Sequence, residues 1–521
     1  MRHGEVKVTP EEALVLERVK KLKEIEKKER AYKKRWEVNT YSDWIISKYS
    51  YLGPGEETSD YYSIAGRIMR KREHGKILFL DLIDSKGKIQ IVIREDVIGK
   101  EKYGSMRLLD RGDIIGVKGN VIRTKRGEIS LLANEVTILS KCLRPWPEEW
   151  YGIKDKEVRF RHRYLDFIFN KKARGMVLKL SKIIKTAREY MDKHGFIEVF
   201  TPELQPIYGG GAGRPFETYY WALDRKVYLR IAPETYLKRL LVAMYERVYE
   251  IGRIFRNEGI DWKHHPEYIC FEYYAAWWDY RDQMKFTENL IKELVSSINN
   301  GSLEVTWKNY TIDFSKFERW DVKRKIKEET GIDVSQYDYE TLKEECEKLG
   351  LDTTECKTWG ELVDLIRDEI LEPKAIQPTF MYPYPLDVSP LAQPCEDDPK
   401  WTERFEGFVC GFEIANAYSE LNNPIIQFIE FEKQERMRQE LVKKGKLSEY
   451  HPMDREYVIA LEYAMPPASG CGLGLQRILM VCMNLDAVRE AVTFPLLREY
   501  PKLRTVCDMF PEIKKLYERK S

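Results

Sequence analysis

Four runs, at residues 226–231, 248–252, 269–274 and 408–414, alternate apolar with polar or charged residues at a period of two. In extended backbone successive side chains point to opposite faces, so each run reads as a strand with one face buried. In the third, Cys270, Glu272 and Tyr274 share a face while Ile269, Phe271 and Tyr273 take the other. Any sheet built from such runs collects charged groups from distant parts of the chain on one surface. Two stretches beside these runs carry arginine. Phe255-Arg256-Asn257-Glu258 follows a strand, and Gly472-Leu473-Gly474-Leu475-Gln476-Arg477 leads into the apolar helix Ile478-Leu479-Met480-Val481. Arginine is a permanent cation whose planar fork suits phosphate oxygens, so two of them can hold a bent triphosphate at its reacting and leaving ends. Either stretch alone is weak, because Arg-Asn-Glu also makes surface turns and Gly-x-Gly before a helix often serves packing.

Three further blocks accompany them: Arg230-Ile231-Ala232-Pro233-Glu234, residues 406–420, and Gly195-Phe196-Ile197-Glu198-Val199-Phe200-Thr201-Pro202. A fourth is the glycine-rich Tyr208-Gly209-Gly210-Gly211-Ala212-Gly213-Arg214-Pro215-Phe216. Together these resemble the three signature motifs of the class II aminoacyl-tRNA synthetases, specifically the lysyl-tRNA synthetase family of archaeal/eukaryotic-like type with a basic N-terminal extension. The resemblance runs from about residue 49 to residue 495. It implies an α+β protein, with an N-terminal OB-fold β-barrel followed by a class II antiparallel-sheet catalytic domain with flanking helices. The expected division is a basic helical extension at 1–50, an anticodon-binding barrel at 51–142, a linker at 143–172 and a catalytic domain at 173–521. The last includes a helical insertion at about 317–372 and a C-terminal extension at about 497–521.

The activity implied is ATP-dependent conversion of L-lysine to lysyl-adenylate, then transfer to the 3′ end of tRNA(Lys), with Mg2+ as cofactor and a homodimer formed through the first motif. Carried over residue by residue, Arg256 bridges the lysine carboxylate and the α-phosphate, and Arg477 binds the γ-phosphate. Glu258 and His264 join the nucleotide contacts, Tyr268 stacks on adenine, and Glu406 and Glu413 hold Mg2+, which takes oxygen ligands and bridges phosphates through one or two carboxylates. Glu420 and Tyr274 hold the lysine ε-amine with Glu272 nearby. The Gly210 carbonyl and Glu234 take the α-amine, Asn416 takes the carboxylate, and Tyr418 belongs to the same group. Positioning and charge carry such a reaction without a side-chain nucleophile. In the barrel, Phe79 stacks on anticodon bases, Gln90 and Glu128 read uridines, and Arg72 lies against them.

The barrel region itself shows strand-like runs at 62–69, 77–82, 89–93, 114–119 and 129–132, with Ser85-Lys86-Gly87-Lys88 as a turn and a helical stretch before Ile114. Periodicity gives the strands, and the resemblance gives the barrel. At the start of the chain, residues 1–36 carry twelve Lys or Arg against seven Glu, a net +5. Thr9-Pro10-Glu11-Glu12 is a helix start, with a capping side chain, proline at the first position and acids in the first turn. The apolar stripe beyond it is sparse, so such a helix has little to bury. It reads either as a solvated helix or as a cationic arm attracting a polyanion.

With 521 residues and 43% hydrophobic content the chain can build several domains. No apolar run reaches membrane-spanning length and the N-terminus is charged rather than signal-like, so a cytoplasmic location is expected. Nine scattered cysteines without a Cys-x-x-Cys pair read as small buried residues. Several positions depart from the family pattern. Gln476 stands where an aspartate is usual, Gln393 follows Ser389-Pro390-Leu391-Ala392 where a base is usual, and Tyr219-Tyr220 replace a polar pair. Two alternatives therefore stay open: an aspartyl- or asparaginyl-type synthetase of the same subclass, against which the acids Glu234, Glu272 and Glu420 argue, and a non-catalytic paralogue.

Overall fold

The structure, a computed structural model, describes residues 9–146, 155–211, 213–443, 450–497 and 503–518. These form two compact units, one from residues 1–154 and 499–521, the other from residues 155–498.

In the first unit, helix α1 (Pro10–Glu26) starts as its sequence dictates. The Thr9 hydroxyl accepts from the Glu12 backbone N–H while the Glu12 carboxylate accepts from the Thr9 N–H, and Pro10 occupies the first turn. The expectation that this helix has little to bury is corrected. Val15, Val19, Leu22 and Ile25, spaced by three and four, form a narrow buried stripe. Val15 and Val19 pack on Phe510 and Ile513 of the C-terminal segment, and Leu22 and Ile25 join the barrel core. Arg504 pairs with Glu12 at 3.1 Å. The described part of the C-terminal extension thus belongs with the N-terminal unit, not with the catalytic domain as expected above. Residues 1–8, 498–502 and 519–521 of the two extensions lie outside the described residues.

The barrel closes in the order β1 (Glu57–His74), β2 (Ile77–Ile83), β3 (Lys88–Arg94), β5 (Ile129–Ser140), β4 (Ile114–Arg123). β3 and β5 run parallel, the other pairs antiparallel. Two short helices, Glu95–Ile98 and Lys100–Met106, fill the helical stretch expected before Ile114. The long strand β1 serves both β2 and β4, with a bulge between Ile68 and Arg70 that sharpens its bend.

The second unit is organised by an eight-stranded sheet. Its strands are β6 (Ile197–Glu198), β7 (Arg247–Phe255), β8 (Glu267–Ala276), β9 (Glu318–Asp321), β10 (Thr379–Tyr382), β11 (Arg404–Val409), β12 (Phe412–Ser419) and β13 (Ala468–Leu473), in the spatial order 9-10-11-12-13-8-7-6. The six inner strands are mutually antiparallel, and the edge strands β6 and β9 run parallel to their neighbours, so the sheet is mixed rather than wholly antiparallel. One face is buried by helices α2 (Lys171–Lys193), α3 (Tyr280–Ile298) and α4 (Leu475–Cys482). There Phe271, Tyr273, Ala415, Ala417 and Cys471 meet Ile183, Leu290, Leu294 and Leu479 in one apolar core. The alternation read from the sequence therefore sends Cys270, Glu272 and Tyr274 to the opposite face.

Residues 155–172, expected to be linker, instead fold into this unit as the short helices Lys156–Arg161 and Arg163–Phe169, which lead into α2. Arg163 is buried, pairs with Asp166 at 2.5 Å and donates to the Glu490 carbonyl at 2.9 Å. A basic stretch looks like a surface connector in sequence, and only packing shows that its charges are consumed internally. Residues 147–154 lie outside the described residues. In the insertion, helices Val322–Thr330, Tyr339–Lys348 and Trp359–Ile366 share an apolar core that also takes in Met381 and Phe408 of the sheet.

Candidate active site

The site is a pair of cross-strand rows. Register aligns Glu406, Asn416, Gly472, Glu272 and Glu250 across β11, β12, β13, β8 and β7, and Arg404, Tyr418, Gly470 and Tyr274 form the adjacent row. The middle strand offers glycine at both positions. A Cβ at Gly470 would lie 2.1 Å from Tyr274 Cε1 and 2.6 Å from a Glu420 oxygen, so only glycine leaves space for those two groups. A trough results, with Glu272 and Tyr274 on one wall and Asn416 and Tyr418 on the other.

Three elements bring acids to this trough. Glu272 is buried on β8, where the Tyr274 hydroxyl donates to it at 3.1 Å and the Cys270 thiol at 3.2 Å. Burial, with Glu234 adding to it, pushes its carboxyl up to about 8. Glu234 opens the helix Glu234–Val242 and accepts from the Tyr418 hydroxyl at 2.5 Å. Glu420 follows β12, is wholly buried, and has its carboxyl raised by burial against the downward pull of Lys238. Lys238, one turn after Glu234, pairs with Glu234 at 2.6 Å and with Glu420. Gly210 adopts φ +83°, and a Cβ there would lie 2.6 Å from the Glu234 Cβ, so the glycine loop can rest directly on that acid. Ala212 of the same loop lies outside the described residues.

At the neighbouring end of the trough, Arg256 follows β7 and lies over the Tyr268 ring at 5.8 Å. Its Nε is buried without a hydrogen-bond partner among the described residues, as expected of a donor reserved for an anion. Burial pushes the Tyr268 hydroxyl up to about 12, with Arg256 opposing. Arg477, in the first turn of α4, donates to the Glu413 carbonyl at 2.6 Å and its carboxylate at 3.1 Å. Glu258 Oε1 accepts from the Arg214 backbone N–H at 3.4 Å, tying the strand end to the glycine loop. His264 stands further out, about half-exposed and 2.8 Å from Asp261.

Glu406 and Glu413 share a face because of a bulge. The register slips between Gly407 and Phe408, pairing Glu413 with Phe408 while Glu406 pairs with Asn416. Without that extra residue, Glu413 and Asn416, three apart, would point to opposite faces. Their donor set is oxygen-only. Glu406 Oε1 accepts from Arg404 at 2.5 Å and keeps one lone pair, while Oε2 accepts from Tyr384 at 2.9 Å and faces Arg367 at 3.3 Å. The pair fits Mg2+ shared with phosphate oxygens.

Several participants had no role assigned from the sequence. Arg367 reaches the site from the helical insertion, Arg230 pairs with Glu250 at 2.5 Å beneath the trough, and Lys238 sits among the acids. Lys238 was foreshadowed only by its i+4 spacing from Glu234. Gln476 does not stand among the charges: buried, it accepts from the Ile269 N–H at 2.9 Å and donates to the Ala491 carbonyl at 3.2 Å, joining β8 to the segment after α4. Gln393 is fixed through its backbone, which bonds Ser419 and Glu403. In the barrel, Gln90 donates to Glu128 at 2.8 Å and accepts from Ser130 at 3.1 Å. Arg72 pairs with buried Asp81 at 3.0 Å, directly across from half-buried Phe79. The four residues assigned to bases thus share one barrel surface.

Residues 155–498 match the family of class II tRNA synthetases for D, K and N, and residues 62–139 match the OB-fold nucleic acid binding domain. The chain is 46% identical to a lysine–tRNA ligase of Carboxydothermus hydrogenoformans over 84% of this chain and 88% of that one. It is 42% identical to one of Syntrophomonas wolfei over 96% and 99%, and 40% identical to one of Thermosipho melanesiensis over 92% and 95%. The chain belongs to the class II aminoacyl-tRNA synthetases, in the family of the lysine–tRNA ligases.

Proposed function

We propose that this synthetase activates L-lysine with ATP and transfers it to the 3′ end of tRNA(Lys). The observation that carries the reading is the set of three buried acids, Glu234, Glu272 and Glu420, beside Arg256. A cationic side chain removed from water needs buried acids, and an uncharged analogue leaves them without compensation. Glu420 and Tyr274 receive the ε-ammonium, Glu234 and the Gly210 carbonyl the α-ammonium, and Asn416 the carboxylate. Arg256 bridges the attacking carboxylate and the α-phosphate, so that two anions approach in line, while Arg477 holds the departing pyrophosphate. Tyr268 supports adenine, and Glu258 and His264 hold the nucleotide. Glu406 and Glu413 would hold Mg2+, which when bound offsets charge on the phosphates.

Gln90 and Glu128 would read anticodon bases stacked on Phe79, with Arg72 beside them. The exposed cations Lys20, Lys23 and Arg30 of the N-terminal segment would add sequence-independent attraction to tRNA. A role in charging tRNA supports a cytoplasmic location. No described helix is long and apolar enough to cross a membrane. Pyrophosphate exchange with lysine, aspartate and asparagine tests the activation step. Exchange with lysine alone is expected, and exchange with an acidic or amide substrate instead would overturn the assignment.

A further inference from the structure

Lys238 is a charged group in the trough for which the proposed reaction has no task. It is fully buried, it touches two of the acids assigned to substrate, and its ammonium lies over the Tyr418 ring at 5.2 Å and the Tyr457 ring at 5.8 Å. Its direction is set by its helix. Leu237 and Leu241, both fully buried, fix the apolar face, and Lys238 one turn beyond Glu234 has no route to solvent. Burial disfavours its charge, but Glu234 and Glu420 outweigh that and hold it protonated. Apart from Lys238, the Glu420 oxygens have no hydrogen-bond partner among the described residues, so the ion pair with Lys238 is what orients that carboxylate.

We propose that Lys238 is a specificity-determining positioning residue, whose resident ammonium offsets one of the three pocket carboxylates and leaves two negative charges to match an amino acid with two ammonium groups. This rests on the reading of the site as an amino-acid pocket and deepens it. The neighbouring charges do not disturb the count. Arg230 is matched by Glu250, Arg256 faces the substrate carboxylate, and burial pushes His451 down to about 4, which leaves its imidazole neutral. Lys238 opposes the burial that raises the Glu420 carboxyl, so without it Glu420 would hold its proton more tightly and present no anion to the substrate. A protonated Glu420 accepts a hydroxyl as readily as an ammonium, so removal of Lys238 should blunt charge selectivity.

The test is pyrophosphate exchange by the full chain carrying Lys238→Met or Lys238→Gln, with L-lysine and with its neutral analogue 6-hydroxy-L-norleucine. The Met variant should raise the lysine KM by about a hundredfold, as expected when one partner of a buried ion pair is removed. The KM for ATP should stay within about twofold, because Arg256 and Arg477 are untouched, and the preference for lysine over the hydroxy analogue should fall by about tenfold or more. Lys238→Gln, which keeps a donor for both acids, should lose affinity less than Met while losing charge selectivity. A folded Met or Gln variant with wild-type lysine KM and wild-type selectivity overturns the proposal. Should neither variant fold, the wild-type enzyme decides: cadaverine, with two ammonium groups, should inhibit at about tenfold lower concentration than pentylamine, with one, and equal inhibition refutes the charge match. Failure of the wild type to exchange with lysine at all would instead strike the functional reading.

Discussion

Individual side chains at the trough have measurable consequences. Glu420→Gln removes the charge that faces the ε-ammonium and leaves Lys238 with Glu234 alone, so kcat/KM for lysine should fall by about a hundredfold in pyrophosphate exchange while the KM for ATP changes little. Full activity in that variant would remove Glu420 from the specificity account. Glu272 gives a pH dependence. Its carboxyl is raised from 4.5 to about 8 by burial, so the lysine-free pocket holds a proton at neutral pH that binding of an ammonium expels. The groups facing it are Glu234, Arg230, Cys270 and Tyr274, of which only Glu234 pushes the same way as burial. The lysine KM should therefore fall as pH rises from 6.5 toward 8.5. Stability runs oppositely. The folded carboxyl binds a proton that the unfolded one releases between pH 4.5 and about 8, so the contribution present at low pH is lost as pH rises through that window. A lysine KM flat across the range would show that Glu272 does not change protonation on binding.

At the scale of elements, the bulge between β11 and β12 and the glycines of β13 decide which side chains meet. Gly470→Ala should abolish lysine-dependent exchange, because the added carbon overlaps the Tyr274 ring at 2.1 Å. Unchanged activity would mean that the Tyr274 wall is not part of the pocket. In the first unit, α1 and the segment with Phe510 and Ile513 shield one another's apolar surface. Ile513→Ala should cost about 2 kcal/mol, the low end for a buried isoleucine at the margin of a core. Hydrogen exchange of residues 10–26 should quicken in step, and unaltered protection there would indicate that the contact contributes little.

For the molecule as a whole, the proposed homodimer draws on apolar surface near the first motif. Phe200 is 80% exposed, Ile197 and Leu204 close to it in sequence are also open, and Trp221 is 84% exposed. Exposed apolar side chains near the first motif suit a partner site, and a two-fold copy of the same surface can cover them. Light scattering at micromolar concentration should give twice the chain mass, and Phe200→Asp should shift it toward the monomer. A wild-type monomer would rule the dimer out.

The sequence by itself determined what depends on nearest neighbours and spacing: the helix start at Thr9, the five barrel strands, the faces of β8, and the arginines that follow or precede strands. Family resemblance then supplied roles that alternation alone could not. Only the tertiary structure decided which partners each charge meets. It sent Lys238 into the acids, buried Gln476 as a brace, returned the C-terminal segment to α1, and drew residues 155–172 into the catalytic unit. Hydrophobic period and capping are written in residues a few positions apart, whereas ion pairing and burial depend on groups that are adjacent only after the chain has folded.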